Sequence, residues 1–209
     1  MIRLLVADDH RIMREGLKQL FALVKDFEVV AEAENGAQVL ELLRQTTVDL
    51  LLLDMTMPGS SGEDLIGRVH AHYPKLPMLI LSMHNEAHIA QRALRAGASG
   101  YMTKDRDPET LLAAIRKVSA GGRYLDPVLA EQIALQNSGL APDSPSQTLS
   151  AREFQILRML AQGLSVNQIA EQLVISNKTV STHKTHLMEK MSFSSSTDLV
   201  RYALSQGLV

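Results

Sequence analysis

The stretch VDLLLLDMTMPG, residues 48–59, is a run of aliphatic side chains that stops on an aspartate. Val48 and residues 50–53 suit a strand buried on both faces, since a strand with one wet face alternates polar and apolar residues. Asp54 then stands at the carboxyl end of that strand, just before a Met-Pro-Gly turn. A strand so committed to the core has no packing reason to end on a carboxylate, and that asks for a chemical one.

Working outward, further apolar runs occur at residues 2–7, 29–33, 78–81 and 100–102. Between them lie segments with helical spacing, such as Ile12, Leu17, Leu20, Phe21 and Val24, or Leu111, Leu112, Ile115 and Val118. Strands that each precede a helix form βα units, which build a parallel sheet covered on both sides. The first 120-odd residues therefore predict an α/β domain of flavodoxin-like type, five parallel strands in the order 2-1-3-4-5. No G-x-G-x-x-G follows the first strand, so a dinucleotide fold has no support.

The chain of 209 residues has room for two modest domains, and 45% hydrophobic residues predict packed cores. The absence of cysteine excludes disulfides and thiolate metal sites. The apolar run in MIRLLVADDH is too short for a signal peptide or a membrane span, so a soluble cytoplasmic protein is expected. Residues 1–125 carry 15 basic against 16 acidic side chains, residues 126–148 none against 3, and residues 149–209 carry 6 against 4. Only the last piece leans basic, too mildly to announce a nucleic-acid partner by charge alone.

Asp8 and Asp9 follow the first strand and Asp54 ends the third. In an open α/β sheet, ligands bind beyond the carboxyl ends of the strands where the chain order reverses. With strands one and three adjacent, these carboxylates converge, and a hard dication such as Mg²⁺ is their natural partner. Strand four ends in the hydroxyl of Ser82, and strand five is followed by the ammonium of Lys104. A carboxylate nucleophile, a dication, a hydroxyl and an ammonium together can accept and steady a phosphoryl group, which makes Asp54 a candidate phosphoacceptor. A single such aspartate is usually a turn former; four strand ends each supplying the right group is a far more specific pattern.

The segments ADDH, LLLDMTMPGSSG, LILSMH and GASGYMTKD, in that order, resemble the receiver domain of bacterial two-component response regulators over residues 1 to about 120. The resemblance implies that Asp54 is phosphorylated by a sensor histidine kinase, and that Asp8, Asp9, Asp54 and the backbone carbonyl of Thr56 hold Mg²⁺. It also makes Ser82 the switch hydroxyl, Tyr101 the aromatic that follows it, and Lys104 the phosphate-contacting lysine. Pro58 and Gly62 fit the loop after the acceptor. Asp105 stands after Lys104 where many receivers carry proline.

Residues 121–148 change character: Gly121-Gly122 ends a helix, a short helix is expected over residues 127–135, and QNSGLAPDSPSQ has linker composition. From residue 149 the pattern is all-α, four short helices over about 151–162, 166–174, 177–191 and 196–206. Capping-box spacing marks Ser150 with Glu153, Ser165 with Gln168 and Ser195 with Asp198, and Ser176 is a further N-cap. Ile169, Ala170 and Leu173 form one apolar side of a helix-turn-helix, and Val180, Leu187, Met188 and Met191 the other. The opposite face of the second helix carries Lys178, Ser181, Thr182 and Thr185, with Lys184 and His186 at its flanks. That face suits the solvated side of a small bundle as well as a DNA major groove, where lysines meet phosphates and hydroxyls meet bases.

The segment LSAREFQILRMLAQGLSVNQIAEQLVISNKTVSTHKTHLMEKM is similar to the LuxR-type helix-turn-helix of the NarL/FixJ family, and the likeness runs on to Val209. The resemblance implies double-stranded DNA at promoter sites as partner, with Lys178, Thr179, Ser181, Thr182, Lys184 and Thr185 as contacts, and a homodimer on phosphorylation. The expected layout is a receiver over 1–122, a partly helical linker over 123–147 and a DNA-binding domain over 148–209. A phosphohydrolase of the haloacid-dehalogenase kind also uses a strand-end aspartate, but needs a second aspartate two residues on, where Thr56 stands. Metal binding by other histidines is set aside: His70 and His72 share no helix face, and His84 and His88 lack a third ligand. Exposed positions are expected for these histidines.

Overall fold

The computed structural model describes residues 1–57, 62–137, 148–205 and 208. The Pro58 turn, the linker-like residues 138–147 and the chain end at 206–207 and 209 lie outside the described residues. The chain forms two compact units, Met1–Ala141 and Pro142–Val209.

In the first unit, strands β1 (Ile2–Ala7), β2 (Phe27–Ala33), β3 (Leu50–Asp54), β4 (Met78–Ser82) and β5 (Gly100–Thr103) alternate with helices α1 (Arg11–Ala22), α2 (Gly36–Gln45), α3 (Gly62–His72), α4 (Ala87–Arg95) and α5 (Pro108–Ser119). All pairings are parallel, in the order β2-β1-β3-β4-β5. Every residue of β3, β4 and β5 is buried, as continuous apolar strands require. The core packs Leu4, Val6, Leu50, Leu52, Leu79 and Leu81 of the strands against Leu17 and Phe21 of α1 and Ile115 and Val118 of α5.

A sixth strand, β6 (Tyr124–Leu125), extends the sheet beyond the five expected and pairs with β5. Gly100 permits the close approach: a Cβ there would lie 2.8 Å from the Leu79 side chain and 3.0 Å from the Tyr124 carbonyl. The next residue, Asp126, is fully buried. Its backbone N–H donates to the Tyr101 carbonyl at 3.3 Å, and its carboxylate accepts from Val128 N–H at 3.0 Å, starting helix α6 (Pro127–Asn137). Arg106 pairs with the same carboxylate through two guanidinium nitrogens. Helix α6 packs against α4. Part of the stretch read as linker is therefore built into the first unit.

The second unit comprises α7 (Ala151–Ala161), α8 (Val166–Gln172), α9 (Asn177–Lys190) and α10 (Ser196–Ser205). Ser150 with Glu153 and Ser165 with Gln168 form complete capping boxes, and Ser176 accepts from Thr179 N–H. Ser195 and Asp198 exchange equivalent bonds at the start of α10. Phe154, Leu157, Ile169, Val180, Leu187, Leu199 and Ala203 form the core.

Candidate functional site

Strand register carries the chemistry to one rim of the sheet. Ala7 pairs with Leu53, so Asp8 follows beside Asp54; Ser82 pairs with Thr103, so Lys104 follows beside Ser82. The Lys104 N–H donates to the Ser82 carbonyl at 2.8 Å. Lys104 Nζ then lies 2.7 Å from Asp8 Oδ2 and 3.1 Å from Asp54 Oδ2, with all three side chains buried. Thr56 donates to Asp54 through its N–H at 3.3 Å and its hydroxyl at 3.2 Å. A cleft of about 1150 Å³ opens at the other end of the sheet between Ile2, Asp49, Lys75 and Arg116 and contains none of these groups. It plays no part in this chemistry.

Two carboxylates sharing one ammonium leave a shortage of positive charge. Burial pushes the Asp54 carboxyl above its ordinary pKa; Lys104 opposes the shift and the Asp8 charge adds to it. Burial works against the Lys104 ammonium, but Asp54 and Asp8 outweigh it and hold its pKa above the ordinary value. Asp9 joins the cluster, and its Oδ1, screened from solvent, accepts no hydrogen bond among the described residues. One ligand atom each from Asp8, Asp9, His10 and Asp54 lies within 4.8 Å of the others. Carboxylate oxygens, one of them orphaned, suit a hard dication, so these residues fit Mg²⁺. His10 escaped the sequence reading. Its only signal was adjacency to the acidic pair, and it stood where a helix was expected to start.

The β1–α1 turn is held by buried Arg14, which donates to the Asp8 carbonyl at 2.7 Å and pairs with Glu34. Ser82 is fully buried, and its hydroxyl accepts from His84 N–H at 3.1 Å. Tyr101 is buried as well and donates its hydroxyl to the His84 carbonyl at 2.9 Å. Burial pushes the Tyr101 phenol further above its ordinary pKa. The peptide after Lys104 is trans.

His84 and His88 correct an expectation: both are buried, not exposed. Burial lowers the His88 pKa to about 4; Glu86 opposes the shift, and Arg92 and His84 reinforce it. His84 is held inward by its backbone bonds to Ser82 and Tyr101, and His88 lies on the buried side of α4.

On α9, Val180 and Leu187 face the core, while Lys178, Thr179, Ser181, Thr182 and Thr185 are exposed and Lys184 is half-buried. Thr182 and Thr185 donate to the carbonyls of Lys178 and Ser181. Glu153, buried at the start of α7, pairs with Lys190 at 2.7 Å and fixes the end of α9.

Comparison with known proteins bears on both units. Residues 4–116 match the family described as "Response regulator receiver domain", and residues 147–203 match "Bacterial regulatory proteins, luxR family". The chain is 36% identical over 210 residues to the response regulator GacA of Pseudomonas aeruginosa, covering 100% of this chain and 98% of that one. It is 35% identical over 215 residues to the oxygen regulatory protein NreC of Staphylococcus carnosus, covering 100% and 99%. Its fold resembles RcsB of Salmonella enterica serovar Typhimurium, solved on promoter P1flhDC with the phosphomimetic BeF₃⁻. There the TM-score is 0.66, the identity 26%, and 98% of each chain is covered.

Proposed function

The chain belongs to the NarL/FixJ family of response regulators, a receiver joined to a LuxR-type DNA-binding domain that controls transcription on phosphorylation, and from that premise we propose that Asp54 is its phosphoacceptor. The observation that carries this reading is the buried ammonium of Lys104 held between Asp8 and Asp54. A phosphoryl group passes from a phosphohistidine nitrogen of a sensor kinase to an Asp54 oxygen: the P–N bond breaks and an O–P bond forms. Asp8, Asp9, Asp54 and the Thr56 carbonyl would hold Mg²⁺, which would supply Lewis-acid neutralisation of charge on the phosphoryl oxygens. Lys104 pairs with one of those oxygens and the Ser82 hydroxyl donates to another.

When the Ser82 hydroxyl turns to the phosphoryl group, the bond from His84 N–H to Ser82 is released, and Tyr101, bonded to the His84 carbonyl, feels the change. The Tyr101 carbonyl also anchors Asp126, so the signal reaches α6. We take residues 1–122 as receiver and 148–209 as the DNA-binding domain, with 123–147 as a partly helical connection whose β6 and α6 pack on the receiver. In the last, α9 enters the major groove with Lys178 and Lys184 on phosphates and Thr179, Ser181, Thr182 and Thr185 toward the bases. Two phosphorylated copies related by a two-fold axis read half-sites about one helical turn apart. No described helix is long and apolar enough to cross a membrane, and we place the protein in the cytoplasm with its DNA. We read it as a regulator and not a phosphomonoesterase, because Thr56 stands where the latter needs an acid.

The test is incubation with acetyl phosphate and Mg²⁺ followed by intact-mass measurement. Wild type gains one phosphoryl group and Asp54→Asn gains none. Equal labelling of the two proteins removes Asp54 from the role.

A further inference from the structure

The same pocket supports a finer reading, which rests on the one above: it concerns which cations the pocket prefers. His10 occupies the N-cap of α1, a position that favours Ser, Thr, Asp or Asn because their oxygens bond the first-turn N–H groups. Its imidazole makes no such bond. It turns back instead, with Nδ1 3.1 Å from Asp8 Oδ1 and 3.0 Å from Asp9 Oδ1. The backbone N–H of His10 also donates to Asp8 Oδ1 at 2.8 Å, which fixes the residue over the carboxylates.

The Asp8 contact has hydrogen-bond geometry, whereas the Asp9 contact does not, although the two atoms nearly touch. Neighbouring donors around an octahedral ion with bonds of about 2.1 Å lie about 3.0 Å apart, which is the spacing seen here. The ring is 68% exposed, so it can settle on an ion without disturbing the core. Carboxylate oxygen suits Mg²⁺ and Mn²⁺ alike, while imidazole adds affinity for transition ions over Mg²⁺, least at Mn²⁺ and more toward Ni²⁺, Cu²⁺ and Zn²⁺.

We propose that His10 Nδ1 is a further protein ligand of this pocket and shifts its preference from Mg²⁺ toward divalent transition ions, with Mn²⁺ as the paramagnetic probe of that ligand.

The experiment loads full-length wild type, His10→Ala and Asp54→Asn with Mn²⁺ alone, and records pulsed EPR spectra and Mn²⁺ and Mg²⁺ binding isotherms. Wild type should show the ¹⁴N coupling of a directly bound imidazole, and His10→Ala should lose it. His10→Ala should also bind Mn²⁺ about tenfold more weakly while Mg²⁺ affinity changes less than about twofold. Mn²⁺ bound without nitrogen coupling in wild type, but weakened by Asp54→Asn, overturns the His10 assignment and leaves the acidic pocket standing. Coupling that survives in His10→Ala comes from another histidine and overturns it too. Mn²⁺ binding indifferent to Asp54→Asn overturns the pocket reading itself, and this inference with it.

Discussion

Lys104 Nζ stands 2.7 Å from Asp8 and 3.1 Å from Asp54, so one buried ammonium is shared by two buried carboxylates. Removing it leaves like charges facing each other out of water, a situation that typically costs about 3 kcal/mol or more. Lys104→Ala should therefore lower the unfolding free energy by about 3 kcal/mol in chelator. Mg²⁺ should restore more stability to the variant than it adds to wild type, because it supplies the missing positive charge. Urea unfolding with and without Mg²⁺ measures both; equal Mg²⁺ effects would show that the ion and the ammonium do not share these carboxylates.

Asp54 carries the opposite expectation. Burial raises its pKa above the ordinary 3.8, so the native state holds a proton that the unfolded state has released. Stability contributed by this group is thus present at low pH and lost as pH rises from 3.8 through the native value. Asp54→Asn removes that charge, flattens this part of the pH profile, and should stabilise the metal-free protein at neutral pH. The same substitution should abolish the stabilisation by Mg²⁺. A less stable variant in chelator would mean that Lys104 already compensates the charge in full.

His88 gives a pH dependence of the other sign. Its pKa falls from 6.5 to about 4 because burial penalises the imidazolium, with Glu86 opposing and Arg92 and His84 adding to the effect. The neutral native form is favoured above 6.5, and stability is lost as pH falls from 6.5 toward 4, where only the unfolded chain takes up the proton. After allowance for partial solvent access this amounts to about 2 kcal/mol. Unfolding free energies measured across that window should slope less steeply for His88→Gln than for wild type, and parallel slopes would remove His88 from the account.

Glu153 ties together three pieces of the second unit: the cap at Ser150, the end of α9 at Lys190, and the first turn of α7. Burial pushes its carboxyl up, but Lys190 and Ser150 outweigh this and hold it below 4.5. Its contribution is therefore complete above 4.5 and is lost as pH falls below that value. Glu153→Gln keeps an oxygen for the Ser150 N–H but loses the ion pair, and should cost about 1 kcal/mol; Glu153→Ala loses both and should cost about 3 kcal/mol. Thermal unfolding of the two variants separates cap from charge, and equal losses would assign the whole effect to Lys190.

How far the sequence anticipates this molecule depends on how each signal is written. Leu50 to Leu53 declare a buried strand because four aliphatic residues in a row leave no wet face, and Asp54 declares a site because it ends that run. Convergence with Asp8, Asp9 and Lys104 follows from a strand order that sets β1 beside β3; the alternation of elements announces the parallel sheet, and the flavodoxin-like reading supplies the order. Other features have no periodic signature. Tyr124–Leu125 is too short to show alternation, and the Gly121-Gly122 pair ahead of it reads as an ending. The polar string MHNEAH resembles a wet loop, yet His84 and His88 are buried, since the Tyr101 hydroxyl and the Ser82 side chain hold the loop backbone inward. The approach of His10 to Asp8 and Asp9 is hidden because it depends on a side chain turning back against the chain direction.

The turn between α8 and α9 stores strain at Val174, whose φ is 51° and which is 74% exposed. A β-branched side chain in the left-handed region costs about 1–2 kcal/mol, and an exposed one recovers little by packing. Glycine relieves the backbone clash while adding about 0.5 kcal/mol of unfolded-state freedom, so Val174→Gly should stabilise the second unit by about 1 kcal/mol. Calorimetry on the full chain should show that unit's transition rising while the first unit's stays in place. A lowered transition would mean that Val174 packs in a way its exposure does not reveal. Because this turn aims α9, specific DNA affinity provides the second readout. If the strained turn pre-sets the recognition helix, Val174→Gly should weaken specific binding even as the domain gains stability, whereas unchanged affinity would make the strain incidental to recognition.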